Sequence, residues 1–102
     1  MTTLVIDSAA LRATAVRLTD DALIVDLADG RSLSAPLAWY PRLLNGTVAE
    51  RENHRLVGSG EGIHWPELDE DISVEGILSG RSSAESPSSF QKWLASRSAA
   101  RP

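Results

Sequence analysis

The sequence predicts an α+β fold: a small antiparallel sheet of four to five strands in two hairpins, with short helices packed on one face and a short C-terminal helix. Three observations predict it. Runs of alternating apolar residues come in pairs around turn residues, the pattern of half-buried antiparallel strands. Between Pro36 and Asn53 the apolar spacing changes to that of helices. There is no cysteine, so an apolar core, and not disulfides or zinc thiolates, must hold the chain together.

The first strands run from Thr14 to Thr19 and from Ala22 to Leu27, with Val16 and Leu18 on one face of the first and Leu23, Val25 and Leu27 on one face of the second. Thr19-Asp20-Asp21-Ala22 is the turn between them. Ala28-Asp29-Gly30-Arg31 leads into a third strand, and Asp-Gly is a strong hairpin signal. A two-residue Asp29-Gly30 loop would set Asp26 opposite Leu33 and turn Leu33 outward. A three-residue loop, with Gly30 left-handed, sets Val25 opposite Leu33 and keeps both inside. A one-residue slip flips every side chain, so the apolar pattern selects the three-residue loop.

After Pro36, Leu37, Tyr40 and Leu44 take helical spacing, as do Trp39 and Leu43. Pro41 lacks an N–H and clashes with a preceding turn, so it belongs near a helix start. One short helix beginning near Leu37 and stopping at Asn45-Gly46 is therefore expected. Thr47-Val48-Ala49-Glu50 reads as a capping box opening a second helix from Val48 to about Asn53. Arg55-Leu56-Val57 and Ile63-His64-Trp65 read as strands around a Gly58–Gly62 loop. Ser73 reads as the cap of a single turn, Val74 to Ser79, closed by Gly80. Residues 1–80 thus form one expected α+β domain. Residues 81–102 form a polar linker and an amphipathic helix from Ser88 to Arg97, in which Phe90, Trp93 and Leu94 fall at i, i+3 and i+4. That apolar cluster is expected to dock on the domain or on a second copy.

Charge narrows the function. The net charge of −4 has the wrong sign for neutralising phosphates, which disfavours direct nucleic-acid binding. No basic leader, no membrane-length apolar run and no cysteine are present, so a cytoplasmic protein without membrane contact is expected. Between Leu56 and Gly80 lie six carboxylates (Glu61, Glu67, Asp69, Glu70, Asp71, Glu75) and no Lys or Arg. After Gly80 come Arg81, Lys92, Arg97 and Arg101 against Glu85 alone. Such segregation suits a basic protein partner for the acidic stretch, or a homodimer through the tail.

The chemistry-bearing residues give no catalytic set. Gly58-x-Gly60-x-Gly62 has Ile63 where a dinucleotide loop needs its third glycine, and a strand follows instead of a helix. His54, His64, Asp69 and Asp71 lack metal-ligand spacing, so neither metal nor cofactor is expected. Asp69, Glu70 and Asp71 read as a solvated acidic turn before a helix. Acid–base work would need one of them in an apolar pocket or beside a like charge. No Gly-x-Ser-x-Gly elbow occurs. Of the aromatic residues, Trp65 is expected mainly in the core. One of the adjacent Trp39 and Tyr40 is expected at the surface beside Arg42 as an anchor for a partner. The candidate contact set is Trp39, Tyr40, Arg42, His64, Trp65, Asp69, Glu70 and Asp71.

From Ala15 to Leu78 the chain resembles a family of small bacterial proteins catalogued as Domain of Unknown Function 2442. The resemblance rests on Leu27-Ala28-Asp29-Gly30-Arg31, Pro36-Leu37-Ala38-Trp39-Tyr40-Pro41-Arg42-Leu43, Arg51, Gly60-Glu61-Gly62-Ile63-His64-Trp65-Pro66 and Asp69-Glu70-Asp71-Ile72-Ser73-Val74-Glu75. It implies an antiparallel sheet with short helices and no assigned activity, so no catalytic residue carries over. His54 departs from the family, where an aromatic is commoner. Members often sit beside a second small protein family in an arrangement like a toxin–antitoxin pair. Some append a helix-turn-helix domain, for which the tail here is too short. The functional expectation is a non-enzymatic protein-binding module, the antitoxin-like or regulatory member of a small two-protein system. The alternatives are a dimeric nucleic-acid regulator using its basic tail and a small enzyme using His64 with the Asp69–Asp71 carboxylates.

Overall fold

The computed structural model describes residues 11–100. Two three-stranded antiparallel meanders form the scaffold: β1 (Ala13–Leu18), β2 (Ala22–Leu27) and β3 (Ser32–Pro36), then β4 (Arg55–Val57), β5 (Gly62–Trp65) and β6 (Glu70–Ser73). Between them lie a 3₁₀ turn (Leu37–Trp39), α1 (Pro41–Leu44) and α2 (Val48–Glu52). After β6 come α3 (Val74–Leu78) and α4 (Pro87–Ala100). Leu23, Val25, Leu27 and Ala35 from the first sheet meet Ile63, Trp65 and Ile72 from the second. Leu37, Tyr40, Leu43, Leu68, Val74 and Ile77 complete the same buried cluster.

The β2–β3 hairpin has the register that the apolar pattern selects. Val25 pairs with Leu33, and the Leu27 and Gly30 N–H groups donate to the Arg31 and Leu27 carbonyls across a three-residue loop. Gly30 takes φ +92°, the left-handed conformation such a loop needs. Farther on, the two sheets are tied where the Ala13 N–H donates to the Gly60 carbonyl at 2.7 Å. Gly60 has φ +89°, and a Cβ there would lie 2.4 Å from the Ala13 carbonyl oxygen. Only glycine lets the β4–β5 loop approach β1 this closely.

The α+β class holds, but six strands replace four to five. The added one is β6, where the acidic run was expected as a turn. Ile72 is its one core residue and pairs with Ile63 across a four-residue loop, so the segment becomes a strand by pairing with β5 and not by an apolar period of its own. The single helix expected after Pro36 is also divided. Tyr40, preceding a proline, is pushed out of the helical region to φ −129° and ψ 83°, which ends the 3₁₀ turn. Pro41 then becomes the first residue of α1, where its missing N–H costs nothing.

The capping reading of α2 is met in full. The Thr47 hydroxyl accepts from the Glu50 N–H at 3.1 Å, and the Glu50 carboxylate accepts from the Thr47 N–H at 2.8 Å. Ser73 caps α3 by accepting from the Gly76 N–H, and the Gly80 and Arg81 N–H groups close its far end on the Ile77 and Gly76 carbonyls. The last helix is longer than the Ser88–Arg97 segment expected. Its fourteen residues begin at Pro87, and the Ser86 hydroxyl accepts from the Ser89 N–H. A proline that reads as a linker residue is in fact the helix's first residue.

Candidate functional site: an acidic cleft beside the C-terminal segment

The site is built by the pleat of β6. Trp65 and Ile63 face the core from β5, and their partners across the ladder are Glu70 and Ile72. Glu70 therefore shares the inner face and lies half-buried at the end of the core. Asp71, one residue on, faces outward with its partner His64, whose Nδ1 lies 2.7 Å from the Asp71 carboxylate. Asp69, just before the strand, holds φ +50°, a conformation that aspartate tolerates better than most residues.

A cleft of about 430 Å³ opens between this acidic segment, the Tyr40–Arg42 corner and residues 81–85. The Ser83 N–H donates to the Trp39 carbonyl at 2.9 Å, which lays the 81–85 segment along one wall. The Tyr40 hydroxyl is 3.5 Å from the Arg81 carbonyl. Arg42 grips the Glu85 carboxylate with Nε and Nη2, and its Nη1 donates to the Leu68 carbonyl at 3.0 Å. Both members of this ion pair are largely shielded, each side chain 14% exposed.

These contacts set the protonation chemistry. Burial pushes the Glu70 carboxyl above the usual carboxylate range, against opposing help from the Asp71 N–H and Arg42. Burial, and then the Glu70 charge, raise the Tyr40 hydroxyl. The Arg42 guanidinium does the opposite for Glu85, holding its carboxyl low. The cleft lining thus carries Asp69, Glu70, Asp71 and Glu85 against Arg42 and Arg81.

Helix α4 adds a second set of contacts. Two guanidiniums lie over the Trp93 ring, Arg42 at 5.2 Å and Arg97 at 4.6 Å from its centroid. Arg97 makes a bidentate pair with Glu50 at 2.8 and 2.7 Å, which draws the Glu50 carboxyl down to about 2. The tail's apolar cluster docks on its own domain through Trp93, which packs against the core.

Of the eight candidate contact residues, Tyr40, Arg42, Asp69, Glu70 and Asp71 line the cleft. Trp39 and His64 do not line it. Trp39 is half-buried against the core, while Tyr40 is buried with its hydroxyl at the cleft. Trp65 leaves the contact set: it is fully buried, its Nε1–H donates to the Arg51 carbonyl, and its ring meets His54 at 5.9 Å. Its size and its place on the inner face of β5 make it a core residue. Of the residues of the enzymatic alternative, His64 and Asp71 meet on the outer face of the sheet at 2.7 Å, while Glu70 lies on the opposite, inner face. Among the described residues, no three His, Asp or Glu side chains are placed to hold a metal ion.

Sequence reasoning missed Glu85, Glu50, Trp93 and Arg97 as parts of one site. The one signal was Glu85, the sole acid in a basic tail.

Fold and site together define a two-sheet α+β protein with an acidic cleft flanked by its C-terminal segment. Residues 13–83 match the family described as "Protein of unknown function (DUF2442)", and the chain belongs to that family. It is similar to a protein of unknown function from Rhodospirillum rubrum, known from a crystal structure, with 28% identity and a TM-score of 0.64 over 72% of this chain and 92% of that one. It shares its fold with an uncharacterized protein from Chromobacterium violaceum, solved by NMR, with 23% identity and a TM-score of 0.62 over 88% of this chain and 79% of that one. No curated protein matches the chain.

Proposed function

We propose that the protein is a non-enzymatic protein-binding module, the antitoxin-like or regulatory member of a small two-protein system, and that its cleft seats a basic side chain of the partner. The observation that carries this reading is Glu70. Its carboxyl is turned toward the core by the strand register, is held in a partly desolvated position, and borders a cleft with more acids than bases. Arg42 offsets its charge only in part, because its guanidinium is engaged by Glu85 and the Leu68 carbonyl. A guanidinium or ammonium group brought by a partner supplies the missing charge. Asp69 and Asp71, whose side chains are 89% and 72% exposed, would steer such a partner and set its specificity more than its affinity. The gene-pair habit implied by the family resemblance supports a protein as the occupant.

The test is affinity capture from the native host with the wild type and an Asp69→Lys/Glu70→Lys/Asp71→Lys variant in parallel. A stoichiometric small basic protein is expected with the wild type and is absent with the variant. A partner captured equally by both, or capture of DNA alone, overturns the reading.

A further inference from the structure

Arg42 stands where two surfaces meet. On one side its guanidinium holds Glu85 and carries the Trp93 ring; on the other it reaches the Leu68 carbonyl, with the Asp69 carboxylate 3.9 Å away. Trp93 passes the contact on to Arg97, and Arg97 to Glu50 at the start of α2. The result is one continuous row of side chains, Glu85–Arg42–Trp93–Arg97–Glu50. Arg42 and Glu50 lie inside the matched family segment 13–83, while Glu85, Trp93 and Arg97 lie beyond it.

The way α4 is held differs from the rest of the fold. Among the described residues, the buried core ends at Ile77, and the apolar side chains of α4 (Phe90, Trp93, Leu94) are at most half-buried. Two ion pairs and the Trp93 indole, packed against the edge of the core, carry the docking. Segments with little buried apolar surface open locally without global unfolding.

We infer that the segment from Glu85 through α4 is a releasable clasp that sets the charge of the cleft. Docked, it occupies Arg42 and adds Glu85, leaving four acids against two bases with one of those bases engaged. Released, it withdraws Glu85 and frees the Arg42 guanidinium for Asp69 and Glu70. The docked clasp is therefore the state that favours a basic partner, and its release weakens the site. This regulation rests on the cleft being the seat of a basic side chain. The electrostatic device itself needs no partner to be observed.

The test uses the full chain with Arg97→Gln, a substitution at the end of the row remote from the cleft, and Arg97→Lys as the conservative variant. The Trp93 indole N–H resonance reports docking, and ¹³C titration of the Glu70 carboxyl reports the cleft. The groups facing Glu70 are Arg42 and Tyr40 from the α1 corner, Asp71 from its own strand and Glu85 from the clasp. In Arg97→Gln the Trp93 resonance is expected to move toward its solvent-exposed position and the Glu70 midpoint to fall, because Glu85 raises it and Arg42 lowers it. Arg97→Lys restores both readouts in part. A Glu70 midpoint that stays fixed or rises while Trp93 is released overturns the inference. So does a Trp93 resonance that stays in place in Arg97→Gln, since the row would then not be holding α4. Failure to capture a basic partner would sink the proposed function and leave these two readouts intact.

Discussion

Glu70 lies opposite Trp65 in the β5–β6 ladder, turned toward the core, while its neighbour Asp71 points away to meet His64. Two consecutive acids on a short edge strand therefore have different electrostatic roles. The exposed one is solvated, and the inward one is left in a partly desolvated cleft that other residues only partly compensate.

Glu70 should make the protein less stable as pH rises through the ordinary glutamate range. Its folded carboxyl binds the proton more tightly than the unfolded one, because burial disfavours the charge. The native state then holds more protons between the unfolded and folded values, and stability declines with pH in that window. Glu70→Gln is expected to raise Tm at pH 7 and to change nothing in acid below the unfolded value. Thermal melts of both proteins from pH 3 to 8 check this. A constant difference across that range contradicts it.

The two loop glycines separate strain from collision. Gly30 has φ +92° and open space where a Cβ would go, so Gly30→Ala should cost only the left-handed strain, about 1–2 kcal/mol. Gly60→Ala adds a Cβ 2.4 Å from the Ala13 carbonyl oxygen. It should cost well over that, ~3 kcal/mol or more, by forcing the β4–β5 loop off β1. Urea unfolding of the two variants reads the contrast, and equal costs would refute it.

Local pattern revealed what local forces decide. The Val25–Leu33 register was legible because one parity of pairing buried both residues and the other exposed one. The Thr47–Glu50 box was legible because its two hydrogen bonds close within four residues. Strand β6 was not legible: its one core residue, Ile72, cannot show a period alone. Residues of the cleft appeared as separate candidates, Tyr40 and Arg42 in one place and the acids in another. What joins them to the tail, the Arg42–Glu85 and Glu50–Arg97 pairs, spans 43 and 47 residues, beyond the reach of periodicity.

The two tryptophans of the second half should respond to truncation in opposite ways. Trp65 is fully buried and its indole N–H is satisfied by the Arg51 carbonyl, so Trp65→Ala should cost about 3–5 kcal/mol and lower Tm steeply. Trp93 is half-buried on α4, with two guanidiniums over its ring. Trp93→Ala should cost about 1 kcal/mol, the scale of exposed cation–π contacts, while increasing amide exchange across α4. Hydrogen exchange with chemical denaturation distinguishes them, and a global loss of protection in Trp93→Ala would show that α4 is integral to the core.

Acid should release α4 before it unfolds the sheets. The Arg97 hydrogen bonds, more than any other contact, draw the Glu50 carboxyl from 4.5 in the free side chain to about 2. A depressed folded value means that the pair's contribution is fully present above about 4.5 and is lost as pH falls toward about 2. Protonated Glu50 no longer pairs with Arg97, and the Trp93 ring loses the guanidinium that Glu50 holds in place. Part of the Glu50 shift comes from the Thr47 N–H, so α2 should also loosen at its first turn. The expected observation is a Trp93 transition between roughly pH 4.5 and 2, while the indole resonance of Trp65, buried at 0% exposure, holds its native position. Arg97→Gln should abolish the acid transition by leaving α4 released already at neutral pH. High salt should weaken α4 docking at pH 7 far less than acid does, because both side chains of the pair are only 16–17% exposed. Simultaneous loss of the Trp93 and Trp65 signals in acid would show instead that α4 and the sheets unfold as one unit.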